Sequence, residues 1–263
     1  MELGIFVVDA FTTQQFNGNS AAIIPLENWL KSELMQKIAL ENNLSETAFI
    51  KKVSDNKYEI RWFSPITEID FCGHATLAAS FVLFNFFGVG NEIEYVTQEV
   101  GSLTVVQAED GRIEMNFPGQ MPEDIYDFPE ALIKGLSIKP IRVLRNRQAY
   151  FAIFPSEEDV RNVTYNSQQL KTLAPFDVVV TAKGNDYDFV SRYFWPANGG
   201  DEDPVTGSIH AGLAPYWSVE LSKSILIAYQ ASSRGGVLYC SLENDRVLVS
   251  GYGVLYLRGS VYV

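Results

Sequence analysis

The chain has 263 residues, 47% of them hydrophobic and 20% charged, enough for one large domain or two small ones with real cores. Its formal net charge of −12 argues against a nucleic-acid backbone or an anionic membrane as partner, because both are gripped by clustered Lys and Arg. A small anionic substrate in a locally positive pocket stays open. The two cysteines, Cys72 and Cys240, cannot build a disulfide framework and fit a reducing, cytoplasmic setting. The opening MELGIFVVDAF lacks the basic region of a signal peptide. The most apolar stretch, 74–87, falls short of the roughly 20 residues that span a bilayer.

In chain order, a β-rich opening over 4–25 precedes an amphipathic helix over 27–42. Trp29, Leu30, Leu34, Ile38 and Ala39 recur there at spacings of three and four, which makes one helical face. Two strands follow, 47–53 and 57–64, rich in Val, Ile, Phe and Tyr and separated by turn residues. The turn at Cys72-Gly73-His74 opens a second helix whose residues 77–87 are apolar nearly all round. A helix without a polar face is buried on every side, as when a curved sheet wraps one central helix. Two further strands close this half, and 118–122 is the expected crossover.

The pattern then repeats: a β-rich opening over 141–155, a helix over 157–173, strands at 177–182 and 187–195, and a second Gly turn at Thr206-Gly207-Ser208. The order is matched by residues. Arg61-Trp62-Phe63-Ser64-Pro65 aligns with Arg192-Tyr193-Phe194-Trp195-Pro196, and the same offset carries Glu46 onto Asp177. Cys72-Gly73-His74 aligns with Thr206-Gly207-Ser208 after three extra residues, and that later offset persists through Arg112 and Arg246.

The two Gly turns are where ligand chemistry is expected. The leading N–H groups of a helix have no partner inside it, and the helix dipole adds partial positive charge. Gly73 and Gly207 let a ligand approach that backbone, so each turn is an anion seat, and pseudo-symmetry would bring both onto one carboxylate. Taken singly, each turn reads more readily as plain capping than as a ligand site; two at equivalent repeat positions bring the two readings level. Asp203, held extended by Pro204, is a candidate oriented polar group, whereas Asp201 and Glu202 read as complements of the helix dipole. Glu46 by itself reads more readily as a solvated loop or cap residue, and His74 as a structural histidine. With only His74 and His210 beside Cys72, a zinc site lacks ligands, and no Gly-rich phosphate loop follows a strand, so neither a metal nor a nucleotide cofactor is expected.

These residues lie in stretches that resemble the PhzF-type phenazine-biosynthesis-like protein family, which shares the diaminopimelate epimerase fold. The matching segments are VDAFTTQQFNGNSAAI, NLSETAF, RWFSPITEIDFCGHATLAA, DEDPVTGSIHAGLAPYW, SSRGG and VSGYGVLYLRG, from one terminus to the other. The resemblance implies an α+β fold of two pseudo-symmetric domains, each a curved, mostly antiparallel sheet around a central helix. Their expected extents are 1–118, with 251–263 possibly returning to it, and 119–250. It also implies a homodimer, a site in the cleft between the domains, and a cofactor-independent isomerase; the founding activity moves a proton between ring carbons of trans-2,3-dihydro-3-hydroxyanthranilate.

By motif match, Glu46 is the acid–base group, and His74, Asp203 and Ser208 hold and polarise the substrate. Gly73 and Gly207 offer backbone N–H groups to its carboxylate, and Asn19 is a further substrate-binding residue. Two-thiol epimerisation is not expected, because the repeat mate of Cys72 is Thr206, whose hydroxyl is far too weak an acid. Two alternatives remain at this level: a catalytically silent carboxylate-binding protein, and a one-base racemase acting on another substrate.

Overall fold

The computed structural model describes residues 1–263. It divides into two compact units, Met1–Asn116 with Ser250–Val263, and Phe117–Val249. None of its helices is long and apolar enough to cross a membrane.

The first unit begins with β1 (Glu2–Ala10) and β2 (Asn19–Leu26), then α1 (Ser32–Asn42), β3 (Glu46–Ser54), β4 (Lys57–Phe63) and the two-residue β5 (Glu68–Ile69). α2 (Gly73–Phe86), β6 (Glu92–Val96), β7 (Ser102–Gln107) and β8 (Ile113–Pro118) follow. The pairings β1–β2, β3–β4, β4–β5, β6–β7 and β7–β8 are antiparallel, whereas β2–β3 and β4–β6 are parallel. Helices make both parallel connections, as such crossovers require.

The apolar residues of α2 have the surroundings their pattern predicts. Leu77, Ala78, Ala79, Val82 and Leu83 are fully buried, and the helix packs against β1, β2, β3 and β7. Its few polar side chains are satisfied locally: Thr76 Oγ1 donates to the Cys72 carbonyl, and Ser80 bonds the Thr76 carbonyl and the Tyr95 hydroxyl. α1 covers the other face of the sheet through Met35, Ile38 and Ala39. It starts at Ser32 rather than 27, because β2 runs on to Leu26 and leaves only 27–31 to turn the chain.

The second unit contains β9 (Glu123–Asp124), α3 (Glu130–Lys134), β10 (Arg142–Arg145), β11 (Ala149–Ile153), α4 (Glu157–Asn162), α5 (Ser167–Leu170), β12 (Asp177–Lys183), β13 (Phe189–Phe194) and β14 (Glu202–Asp203). α6 (His210–Leu221), β15 (Ile225–Gln230), β16 (Gly236–Glu243) and β17 (Arg246–Gly251) complete that stretch. Its sheet repeats the first: β10–β11, β12–β13, β13–β14 and β15–β16 are antiparallel, and β11–β12 and β13–β15 parallel. Even the buttressing ion pair recurs. Arg61 on β4 makes a two-pronged bond to Glu68 on β5, and Arg192 on β13 makes the same bond to Glu202 on β14.

Two expectations need correction. The helix expected over 157–173 is two short helices and a 3-10 turn. The break at 163–166 is fixed by Arg192, whose guanidinium takes the carbonyls of Val160, Arg161 and Val163, and by Asn166, whose side chain caps α5. The second helix of this unit begins at His210, not Gly207. Gly207 and Ser208 lie in a tight preceding turn, where their carbonyls accept from the N–H groups of His210 and Ala211 three residues on.

The last strand, β18 (Gly253–Tyr262), returns to the first unit and lies antiparallel along the whole of β1. β9 occupies the corresponding place beside β10. Both units are thus mixed, mostly antiparallel sheets with few helices, the α+β architecture expected.

Candidate active site

Four of the expected site residues meet inside the first unit. The left-handed Asn43 ends α1 and turns the chain into β3, whose first residue is Glu46. Far from being a solvated loop residue, Glu46 is only 8% exposed. Its Oε2 lies 2.8 Å from Nε2 of His74, the second residue of α2. This is an ion pair at hydrogen-bond distance. The amide of Asn19, at the start of β2, lies 3.1 Å from His74 Nδ1, and the Cys72 sulfur 3.4 Å from the same nitrogen. Asn19 therefore supports His74, and since an amide can turn its oxygen or its nitrogen to the ring, it serves the charged and the neutral imidazole alike.

Asn19 is aimed by the loop before it. Asp9 accepts from the Phe16 N–H and from the Ser20 hydroxyl, while Phe11, Phe16 and Gly18 all take positive φ. At Gly18 (φ 66°) a Cβ would also run into the Ala10 carbonyl. Gly18→Ala is expected to cost about 1–3 kcal/mol in chemical denaturation through strain and displacement of that loop, whereas Gly101→Ala, in open space, would show only the conformational part.

The electrostatics of the cluster follow from burial and proximity. Burial opposes the charged form of His74, but the Cys72 sulfur and the Glu46 carboxylate beside it outweigh this and hold the ring well above the usual imidazole range. Burial, and then the Glu46 carboxylate, push the Cys72 thiol up to about 11 and keep it protonated at neutral pH. His210 is the opposite case: burial pushes it down to about 4, with Nδ1 on the Thr206 carbonyl.

At pH 7.5, long-range 15N–1H spectra should therefore show one imidazolium, His74, and one neutral ring, His210. A raised folded pKa stabilises the fold fully below the unfolded value of about 6.5, and that contribution is lost as pH rises through the folded pKa. The stability gap between wild type and His74→Gln should accordingly shrink above pH 6.5.

Glu46, Cys72 and His74 each bring one ligand atom within 4.8 Å of the others. A metal would have to displace the protons of both Cys72 and His74 to be held there. The arrangement is in the state of an acid–base cluster. Gly73, the first residue of α2, carries an N–H at the uncapped helix end, where no side chain supplies an acceptor.

Asp203, Gly207 and Ser208 belong to the second unit. Asp203, on β14 beside Tyr193, accepts from the Thr206 hydroxyl. The buried Gln230 ties this turn together, accepting from the Thr206 N–H and donating to the Asp203 carbonyl. The SSRGG segment adds Ser232, which bonds the Pro204 carbonyl. Ser208 accepts from Nε2 of Gln148, which also reaches the Tyr193 hydroxyl. Gln148, Tyr193 and Gln230 were not among the expected site residues. Tyr193 sat inside the repeated Arg-aromatic-Phe segment, and that repeat was the signal that could have found it.

The profile described as "Phenazine biosynthesis-like protein" matches residues 8–259. An uncharacterised isomerase of Pseudomonas aeruginosa is 44% identical over 99% of both chains, and one of Halalkalibacterium halodurans is 43% identical over 99% of both. Among solved structures, a phenazine biosynthesis protein of the PhzF family from Enterococcus faecalis matches with a TM-score of 0.95 at 42% identity over 100% of both chains. A hydroxyproline epimerase from Agrobacterium vitis shares the fold at 12% identity, with a TM-score of 0.64.

Proposed function

Because the chain belongs to the phenazine biosynthesis-like (PhzC-PhzF) family, we propose that it is an isomerase that relocates a carbon-bound proton on a small carboxylate-bearing metabolite, without a cofactor. The family relatives support an isomerase or epimerase class. The finer reading rests on one observation: a buried glutamate carboxylate 2.8 Å from a buried histidine that its charge helps to keep protonated.

In this reading the substrate C–H bond breaks towards the Glu46 carboxylate and an O–H bond forms. The electron pair left on carbon shifts the double bond. Glu46 then returns the proton to a different carbon, and the O–H bond breaks as the new C–H forms. While Glu46 is neutral, the His74 cation faces the negative charge spreading over the substrate. The Gly73 turn offers an N–H group to the substrate carboxylate. Asp203, Gly207 and Ser208 of the second unit are proposed as contacts to substrate polar groups.

Incubation in deuterium oxide with a panel of small carboxylates, including dihydrohydroxyanthranilate, tests this by mass spectrometry. One deuteron gained at carbon with a shifted double bond supports the isomerase. A deuteron gained with only inverted stereochemistry would favour the one-base racemase. Carboxylate binding with no incorporation would reduce the protein to a carrier.

A further inference from the structure

Asp177 opens β12 as Glu46 opens β3, each paired with an alanine of the neighbouring parallel strand, Ala149 and Ala21. The two carboxylates are nevertheless used differently. Both oxygens of Asp177 are engaged, Oδ2 by the Tyr193 hydroxyl at 2.6 Å and Oδ1 by the Asn198 amide at 2.8 Å. From Tyr193 the chain continues: Gln148 Nε2 lies 3.0 Å from the Tyr193 hydroxyl and 3.0 Å from Ser208 Oγ.

The direction of these bonds is dictated by chemistry. Burial raises the Asp177 carboxyl above its usual range, while the hydrogen bonds from Tyr193 and Asn198 favour its carboxylate; as a carboxylate it only accepts, so Tyr193 spends its single proton on Asp177. The Tyr193 oxygen is then left with lone pairs and needs a donor, which fixes the Gln148 amide with its NH2 end towards both hydroxyls. Ser208 Oγ is thereby made an acceptor of Gln148, and its own proton has no partner in the protein. Ser208 is only partly buried, so that proton is available to a ligand. Burial and the Asp177 charge keep the Tyr193 hydroxyl protonated far above its usual range, so the chain does not lose its middle link.

We propose that Asp177, Tyr193 and Gln148 form a one-way hydrogen-bond relay that commits Ser208 to donate, making Gln148 and Tyr193 positioning residues for an anionic or carbonyl oxygen of the substrate. This rests on the reading above that Ser208 faces substrate. The first unit has a counterpart, in which an amide at the start of β2, that of Asn19, supports His74, the repeat mate of Ser208. There, however, the carboxylate reaches the histidine directly and no relay intervenes.

Neutron diffraction on the wild-type protein in deuterium oxide tests the relay without any ligand. The Gln148 deuterons should point to Tyr193 Oη and Ser208 Oγ, the Tyr193 deuteron to Asp177, and the Ser208 deuteron away from Gln148. A Ser208 deuteron resting on Gln148 Oε1 would overturn the proposal. A binding arm uses anthranilate as probe, titrated calorimetrically. Gln148→Glu, whose side chain would pull the Ser208 proton to itself, should weaken binding about tenfold, and Gln148→Met less than threefold. In a Ser208→Ala background Gln148→Glu should weaken binding less than twofold; a persistent tenfold loss there would mean plain charge repulsion and sink the relay. Failure of wild type to bind anthranilate would count against the carboxylate reading, leaving the neutron map to decide the relay.

Discussion

Glu46→Gln is expected to abolish solvent-deuterium incorporation, lowering kcat by about 10²–10⁴-fold with little change in KM. The amide keeps the shape of the side chain but cannot take a proton from carbon. Breaking a buried ion pair usually leaves an uncompensated charge and costs about 3–5 kcal/mol. Here the remaining partner can shed its charge, because burial by itself favours a neutral His74. The variant should therefore stay folded at neutral pH, and its His74 signal should move from imidazolium to neutral ring in the 15N spectrum. Loss of exchange with that spectral change places the defect in proton transfer. Undiminished exchange in the folded variant would remove Glu46 from the mechanism.

The second large effect is structural. A chain ending at Val249 loses β18, which pairs with β1 from Glu2 to Ala10. Arg258 would leave the faces of Phe6 and Phe86, and Val261 would leave the core shared with Ile5, Val7 and Ala22. At about 0.5–1.5 kcal/mol net per hydrogen bond, a ladder of this length is worth several kcal/mol, comparable to the 5–15 kcal/mol that hold a domain together. It would also bare the edge of β1, a template for aggregation. Limited proteolysis should digest residues 1–116 rapidly and leave 117–249 protected. Equal protection of both stretches would show that β18 is dispensable.

Much of the architecture was legible because it depends on periodicity. The all-apolar α2 could only be a wrapped helix, and the doubled Arg-aromatic-Phe segment foretold the equivalent strands β4 and β13. The split between α4 and α5 was hidden because its cause, the Arg192 guanidinium, lies some thirty residues away in the chain. The burial of Glu46 was equally hidden, since Asn-Leu-Ser-Glu-Thr is a polar string whose inward turn is set by the left-handed Asn43. His74 was singled out by motif, but its dependence on Asn19, fifty-five positions earlier, exists only once β2 lies beside α2. Gln148 was invisible for a similar reason: it has no motif of its own, and only strand pairing sets it between Tyr193 and Ser208.

The return of β18 also sets a timetable for biosynthesis. Residues 1–116 emerge from the ribosome first, but their sheet lacks an outer strand until 250–263 appear. At typical elongation rates of about 5–20 residues per second, that wait is roughly 7–29 s. The stretch 117–249, with the strands from β10 to β16, is made in that interval. The half carrying Glu46 and His74 is thus begun first and finished last, and during that interval it is the part of the nascent protein most in need of a chaperone.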